Sequence, residues 1–209
     1  MMSESNRTNP TVFRARKGYL MLGFLLFFLL GIDISTWYTS SRYNSIDVTL
    51  WSVFFTILAS AAYVRPKIIF FDEGLTIINP IETYTLSWKS VQGVDARLTL
   101  MIYTREKRIS AWAATGPTPR QARRATRLDK IEAIDPRTLG LERGVQIGPA
   151  DLPESDTGAA AAIARYRMVD FNRAANPTII EETFERNYSV IGAAALCGII
   201  AAIMLLFHK

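Results

Sequence analysis

Three long apolar runs constrain this chain more than any other feature of its 209 residues. They cover residues 19–32, 48–64 and 188–207, and most charged residues lie between the second run and the third. A helix needs about 20 apolar residues to cross a hydrocarbon core. The third run has that length, while residues 34–36 and the interfacial pair Trp37 and Tyr38 extend the first past Asp33. We therefore predict three transmembrane helices.

Each of the first two runs has an alternative interpretation. The first follows Arg14, Arg16 and Lys17, as in a signal peptide, but no small-residue cleavage site comes after it. The second has the composition of a buried core helix. Because the two runs are similar in length and are joined by a short polar loop, we favour a transmembrane hairpin.

Basic residues beside the runs predict the orientation, since they are enriched in cytoplasmic loops. Several precede the first run, Arg65 and Lys67 follow the second, and only Arg42 lies between them. The N-terminus and the middle region are therefore expected in the cytoplasm, and the C-terminus outside.

The third run is expected to begin as a helix before it enters the membrane. Asn176 is a good helix cap, and Pro177 suits the first turn of a helix over residues 178–187. Within the run, small residues recur four positions apart, which permits close helix packing. This candidate helix-packing face consists of Ala194, Gly198 and Ala202. An alanine-rich helix without a specific partner has the same pattern.

Residues 66–114 change to short β-branched and aromatic runs separated by turn residues. We predict strands over 67–72, 75–79, 82–87, 97–103 and 108–113, and short connections favour antiparallel pairing. The predicted core consists of the following apolar residues, with the last two as anchors: Leu75, Ile77, Leu86, Val91, Val94, Leu98, Leu100, Ile102, Ile109, Trp88 and Trp112.

The order of these motifs resembles the bacterial pleckstrin-homology-like (PH-like) domain of small actinobacterial membrane proteins of the low-molecular-weight protein antigen 6 type. The resemblance covers roughly half of the chain and includes the preceding helical hairpin. It is carried by Glu73-Gly74-Leu75, Asn79-Pro80, Trp88, Val91-Gln92-Gly93-Val94 and Trp112. It implies a small PH-like barrel in a protein of the bacterial plasma membrane, and it implies no known reaction.

The predicted fold class is an α+β membrane protein, with three transmembrane helices and a small antiparallel PH-like β-barrel domain. A capping helix is expected to face the barrel with Ile163, Tyr166 and Phe171. In order, the predicted segments are a cytoplasmic N-terminal segment (1–17), a transmembrane hairpin (18–64), the β-domain core (65–115), a basic, proline-containing linker or insertion (116–156), the capping helix (157–175) and a long helix with the third span (176–209).

Basic side chains gather in the last predicted turn of the sheet and in the linker. Near a membrane, each is worth about 1 kcal/mol of attraction to anionic headgroups. The candidate headgroup contacts are Arg105, Lys107, Arg108, Arg120, Arg123, Arg124, Arg127 and Lys130. The alternative, which we favour, is an ordinary positive-inside loop. No nucleic-acid motif or aromatic platform accompanies the charges, so a nucleic-acid partner is not expected.

The sequence has no recognisable catalytic constellation. Cys197 lies in the third apolar run and His208 near the C-terminus, and no phosphate-loop or dinucleotide fingerprint is present. We expect no metal, no cofactor and no small-molecule substrate. Asp33 is ionisable and sits in an apolar run, which makes it a candidate functional residue. We favour a simpler interpretation, in which it marks the point where the helix leaves the bilayer.

Two functional hypotheses follow. The first is a non-enzymatic interaction module, an accessory subunit or scaffold whose partners are other integral membrane proteins. The second is an anionic-lipid-binding or membrane-sensing protein that uses the β domain and the basic cluster between Arg120 and Lys130. A transporter or enzyme subunit with its own chemistry is a weaker third hypothesis.

Overall fold

A computed structural model describes residues 7–14, 17–127, 135–141 and 147–207 of the chain. The chain divides into two compact units. The helical unit comprises Arg16–Pro66, Pro80–Glu82 and Arg186–Lys209, and the β unit takes the other described residues. The elements, in chain order, are β1 (Thr11–Phe13), α1 (Lys17–Thr39), α2 (Arg42–Tyr63), β2 (Lys67–Phe71), β3 (Gly74–Ile78), β4 (Glu82–Ser87), β5 (Val91–Ala96), β6 (Thr99–Thr104), β7 (Arg108–Thr115), α3 (Pro119–Arg127), a short 3₁₀ helix (Pro136–Leu139), α4 (Asp156–Arg173), β8 (Thr183–Arg186) and α5 (Tyr188–Phe207).

Helices α1 and α2 are long and apolar enough to cross a membrane, by their length and composition. The two predicted apolar helices of the hairpin are therefore confirmed. Helix α2 begins six residues before the predicted run because Ser41 caps it, its hydroxyl accepting a hydrogen bond from the Asn44 amide at 3.4 Å.

Close backbone contact joins the two helices of this hairpin. A side chain on Gly18, in the first turn of α1, would collide with the carbonyl group of Tyr63 at the end of α2. Glycine is thus the residue that lets the two helices approach here. Helix α2 also packs against α5, so it lies between the other two helices of the helical unit.

The predicted helix over residues 178–187 is wrong. Residues 177–182 have no regular structure, β8 follows, and the helix begins only at Tyr188. Phe184 of β8 stacks on Tyr84 of β4 with ring centroids 5.0 Å apart, and such cross-strand aromatic pairs favour the sheet over a helix. The apolar part of α5 that the structure describes, Tyr188–Ile203, is shorter than the other two spans, so a third transmembrane helix is not confirmed.

The β unit contains two antiparallel sheets, in the orders β1-β2-β3-β4-β8 and β5-β6-β7. Antiparallel pairing is confirmed, whereas a closed barrel is not formed by the described strands. The N-terminal segment supplies an edge strand that the sequence analysis did not predict. Thr8 fixes it, because its hydroxyl and amide donate to the Glu73 carboxylate at 2.5 and 3.3 Å.

The core of the β unit lies between the sheets and α4. Most predicted core residues are buried, and Trp88 is 1% exposed. Three predictions are wrong, since Leu98, Trp112 and Tyr166 are 87%, 56% and 67% exposed. Val94 is only partly buried. The core also includes alanines of β7 and α4 that the sequence analysis did not assign to it, since small side chains on both elements let the helix pack closely on the sheet: Ala111, Ala113, Ala114, Ala160, Ala161 and Ala164.

Within segment 116–156, the parts around Leu139 and Leu152 are packed into the β unit, each of these residues being 3% exposed. Arg165 of α4 anchors it. Its guanidinium donates to the carbonyl oxygens of Leu139 and Val94, both at 3.2 Å, and pairs with the Asp151 carboxylate at 3.1 Å. This buried arginine joins the 3₁₀ helix, the loop before α4 and strand β5.

Candidate functional site

An open cleft of about 430 Å³ lies in the β unit, between strands β4 and β8 and the turn that joins β6 to β7. Its floor includes Leu86 and Ile109, which belong to the core. The size is within the range of small-molecule and peptide pockets, about 300–1,000 Å³. Core residues of the β unit are thus accessible from solvent through this cleft.

A tight turn presents the basic residues of the cleft. The amide of Thr104 donates to the Lys107 carbonyl at 2.9 Å, and the Lys107 amide donates back to the Thr104 hydroxyl at 3.1 Å. Arg105 and Glu106 therefore project from the tip of this turn, where both are exposed. Three cationic side chains, the third from Lys89, and two acidic ones, from Glu106 and Glu182, line the cleft, which gives it a formal charge of +1.

Aromatic rings form one wall of the cleft. The Phe184 ring is 49% exposed and stacks on Tyr84. The Lys107 ammonium lies 5.7 Å from the centroid of the Phe184 ring. A cation at this distance is attracted to the face of the ring. An acidic or aromatic group entering the cleft would meet both the ring and the ammonium.

The predicted headgroup contacts do not form one cluster. Arg105 and Lys107 line the cleft, whereas the Arg108 guanidinium lies 5.7 Å from the Tyr103 ring and does not line it. Arg120 and Arg123 are exposed on α3. For Arg124 and Arg127 the structure describes only the backbone, which belongs to α3. Lys130 lies outside the described residues.

Sequence reasoning missed Lys89, Glu182 and Phe184 as lining residues of the cleft. Lys89 comes from the turn after β4, whereas Glu182 directly precedes β8 and Phe184 lies within it, far away in the chain. The alternation of Phe184 with polar neighbours was the available signal for a strand.

In the predicted helix-packing face, Ala194 is buried, and a side chain on Gly198 would come within 3.2 Å of the Phe54 ring of α2. Ala202 is exposed, and Ala201 is fully buried instead. An α-helix has 3.6 residues per turn, so successive residues on one face are separated alternately by four and by three positions. The face of α5 against α2 therefore runs through positions 194, 198 and 201.

Asp33 lies inside α1, six residues before its end, and it makes contacts across the hairpin. Its carboxylate accepts hydrogen bonds from the hydroxyls of Ser52 at 3.1 Å and Thr49 at 3.5 Å, and Trp37 donates its indole N–H to Thr49 at 3.3 Å. A polar cluster thus links α1 and α2 within otherwise apolar helices. Its geometry indicates a link between helices, since these donors come from α2.

Replacing Asp33 by Leu should weaken the hairpin. Inter-helix hydrogen bonds of this kind contribute about 0.6–2 kcal/mol in membrane proteins. We expect the Asp33→Leu variant in mild detergent to lose that amount of unfolding free energy in an SDS titration. Asp33→Asn retains both acceptor contacts and should stay close to the wild type. Equal stability of all three proteins would contradict a role for the carboxylate in the hairpin.

The described residues include no group of three or more His, Cys, Asp or Glu side chains close enough to hold a metal. Burial lowers the pKa of the Arg65 guanidinium, whose Nε has no hydrogen-bond partner within the described residues. Cys197 is a partly exposed free thiol on α5, and His208 lies outside the described residues.

The chain has no match among family models, curated proteins or solved structures.

Proposed function

We propose that this chain is a non-enzymatic, membrane-anchored interaction module. Its helices anchor it in the bacterial plasma membrane, and its PH-like β unit binds an extended segment of another membrane protein, to which it is an accessory subunit or scaffold. The single observation that carries this proposal is the cleft beside β8. Strand β8 is the last strand of its sheet, all four of its residues are exposed, and it forms one wall of the cleft.

An edge strand recognises an extended segment through backbone hydrogen bonds, and neighbouring pockets select its side chains. The cleft offers an apolar floor at Leu86 and Ile109 and an aromatic wall at Phe184. The cations on Lys89 and Lys107 favour an acidic segment. The partner is therefore expected to present acidic residues next to an apolar or aromatic one.

Chain connectivity supports anchoring by a hairpin. Strand β1 precedes α1, strand β2 follows α2, and the two strands pair with each other from Thr11 with Phe70 to Phe13 with Ile68. Two spans between paired strands return the chain to the side from which it started. Together with the basic residues near the hairpin ends, this favours a cytoplasmic β unit. A third span through α5 then puts the C-terminus outside.

Charge reversal at the cleft should reduce partner recovery. We expect the Arg105→Glu/Lys107→Glu variant, tagged and purified from its native membrane in mild detergent, to retain about tenfold less partner, because like charges now face an acidic segment. The matched control is Arg137→Glu/Arg173→Glu, which makes the same charge change at exposed positions away from the cleft.

A photo-crosslinking amino acid at position 184 identifies what occupies the cleft. The proposal expects one discrete protein adduct there and none at position 166, an exposed site on α4. Equal recovery with both reversed variants, or no protein adduct at position 184, would contradict it.

Anionic lipid is the second candidate occupant, and the cations at Lys89, Arg105 and Lys107 favour it. In that case position 184 crosslinks to phospholipid instead of protein. Adduct formation should then fall as salt is raised and as acidic lipid is replaced by neutral lipid.

A further inference from the structure

Two large apolar side chains of the β5-β6-β7 sheet are exposed where the sequence predicts core. Leu98 and Trp112 are 87% and 56% exposed, while the neighbours of Trp112 along β7, Ala111 and Ala113, are buried. Because side chains alternate between the faces of a strand, Trp112 must point away from the core. We call these two residues the Leu98–Trp112 surface.

The backbone beneath Trp112 is fixed. Asn79, itself buried, accepts a hydrogen bond from the Trp112 amide at 3.0 Å through its side-chain oxygen. Its side-chain nitrogen donates to the Ser110 carbonyl at 2.8 Å. These two hydrogen bonds from one amide side chain hold β7 in place and prevent the strand from turning the indole inwards. The exposure of Trp112 is therefore built into the fold.

Leu98 is held outward in a similar way. It lies in the turn between β5 and β6, and its carbonyl accepts a hydrogen bond from the Gly116 amide at 2.7 Å. A side chain on Gly116 would come within 3.1 Å of the Leu98 Cα, so the backbone of the turn is closely packed from the inside. The Leu98 side chain lies on the outer side of this turn, where it is exposed.

Positive charge follows immediately along the chain. Helix α3 begins at Pro119, three residues after Gly116, so its start lies within about 10 Å of the Leu98 turn. Arg120 and Arg123 are both exposed on this helix. Exposed tryptophan and leucine beside arginines is the composition of a segment that rests at a membrane–water interface.

Short connections join the β unit to the hairpin, which spans a bilayer as proposed above. Asn79, which bonds the Trp112 backbone, follows β3 at the end of the sheet where β1 finishes and β2 begins. Only three residues separate β1 from α1, and three separate α2 from β2. These short connections tether the β unit to the proposed spans.

We propose that the Leu98–Trp112 surface rests on the cytoplasmic face of the bilayer. Trp112 and Leu98 enter the headgroup region, and Arg120 and Arg123 contact anionic headgroups. This inference goes beyond the interaction proposed for the cleft, since it concerns other residues and a lipid ligand, and it rests on membrane anchoring alone.

The test uses the full chain reconstituted in vesicles, with Cys197→Ser as background. An environment-sensitive fluorophore is attached after Leu98→Cys, Trp112→Cys or, as the control, Tyr166→Cys, which is an exposed position on α4. Spin-labelled lipids quench only probes that reach the bilayer. We expect quenching at positions 98 and 112 to be about twofold or more stronger than at 166. Equal quenching at all three positions would overturn the inference.

Two further measurements test the arginine–headgroup contacts and the membrane anchoring separately. Arg120→Glu/Arg123→Glu should reduce quenching at position 98 in vesicles with acidic lipid, and should leave it unchanged in neutral vesicles; an unchanged value in both rejects the headgroup contacts. Flotation with the vesicles reports anchoring separately. A chain that floats without quenching overturns this inference and leaves the proposed function standing, whereas a chain that fails to float overturns both.

Discussion

Replacing Arg165 by Ala should destabilise the β unit by about 3–5 kcal/mol, the cost of breaking a buried ion pair. The arginine side chain is 6% exposed, and the Asp151 carboxylate with which it pairs is 13% exposed. Its loss leaves that carboxylate and the Leu139 and Val94 carbonyls without this donor. Domains of this size have a total stability of about 5–15 kcal/mol, so the loss is a large fraction.

Hydrogen–deuterium exchange of the full chain in mild detergent measures this effect. We expect the amides of α4 and β5 to exchange orders of magnitude faster in Arg165→Ala. Arg173→Ala, at an exposed position in the last turn of the same helix, should cost below about 1 kcal/mol. Arg165→Lys keeps the charge but not the planar fork that reaches several acceptors, and should fall between the two. Identical exchange in the Arg165→Ala and Arg173→Ala variants would refute the anchoring role.

Replacing Trp88 by Ala should cost a similar amount, about 3–5 kcal/mol, because it empties the largest fully buried side-chain site. The indole N–H also donates to the Phe71 carbonyl at 3.0 Å, and this acceptor would lose that hydrogen bond. Trp88→Phe fills most of the space and should recover part of the loss.

The matched control for this prediction is Trp112→Ala. Its side chain is 56% exposed, so we expect a loss below about 1 kcal/mol in the same exchange experiment. The two tryptophans are equal in size and were predicted to share one role, which makes the comparison sharp. Comparable losses for both variants would contradict the placement of Trp112 outside the core.

The pattern of apolar residues was sufficient to predict the hairpin and five of the six strands between Lys67 and Thr115, whereas β5 (Val91–Ala96) was not predicted. A continuous apolar run of about 20 residues indicates a membrane helix, whereas a short apolar or alternating run between turn residues indicates a strand. Both patterns are local properties of the chain. Capping was less visible. Ser41 extends α2 beyond the predicted run, and the lead-in to α5 forms β8 because Phe184 finds Tyr84 in a distant strand.

The role of each apolar residue was less predictable than its presence. Trp88 and Trp112 were both predicted to anchor the core, yet one fills the core and the other is exposed. Asn79 decides the second case through its bonds to β7, a contact between residues 33 positions apart. Large side chains were assumed to mark the core. The helix that covers the sheets instead uses alanines such as Ala160 and Ala161, because close approach needs small residues.

By itself the sequence determined the two apolar helices and five of the six strands between Lys67 and Thr115, since these follow from local periodicity and composition. Only the tertiary structure decided that Arg165 anchors the insertion and that the N-terminal segment pairs with β2. Only it separated the basic residues into the cleft at Lys107 and the surface of α3. The physical reason is that a buried charge, an edge strand and a cleft each depend on partners far away in the chain, whose distances no local pattern records.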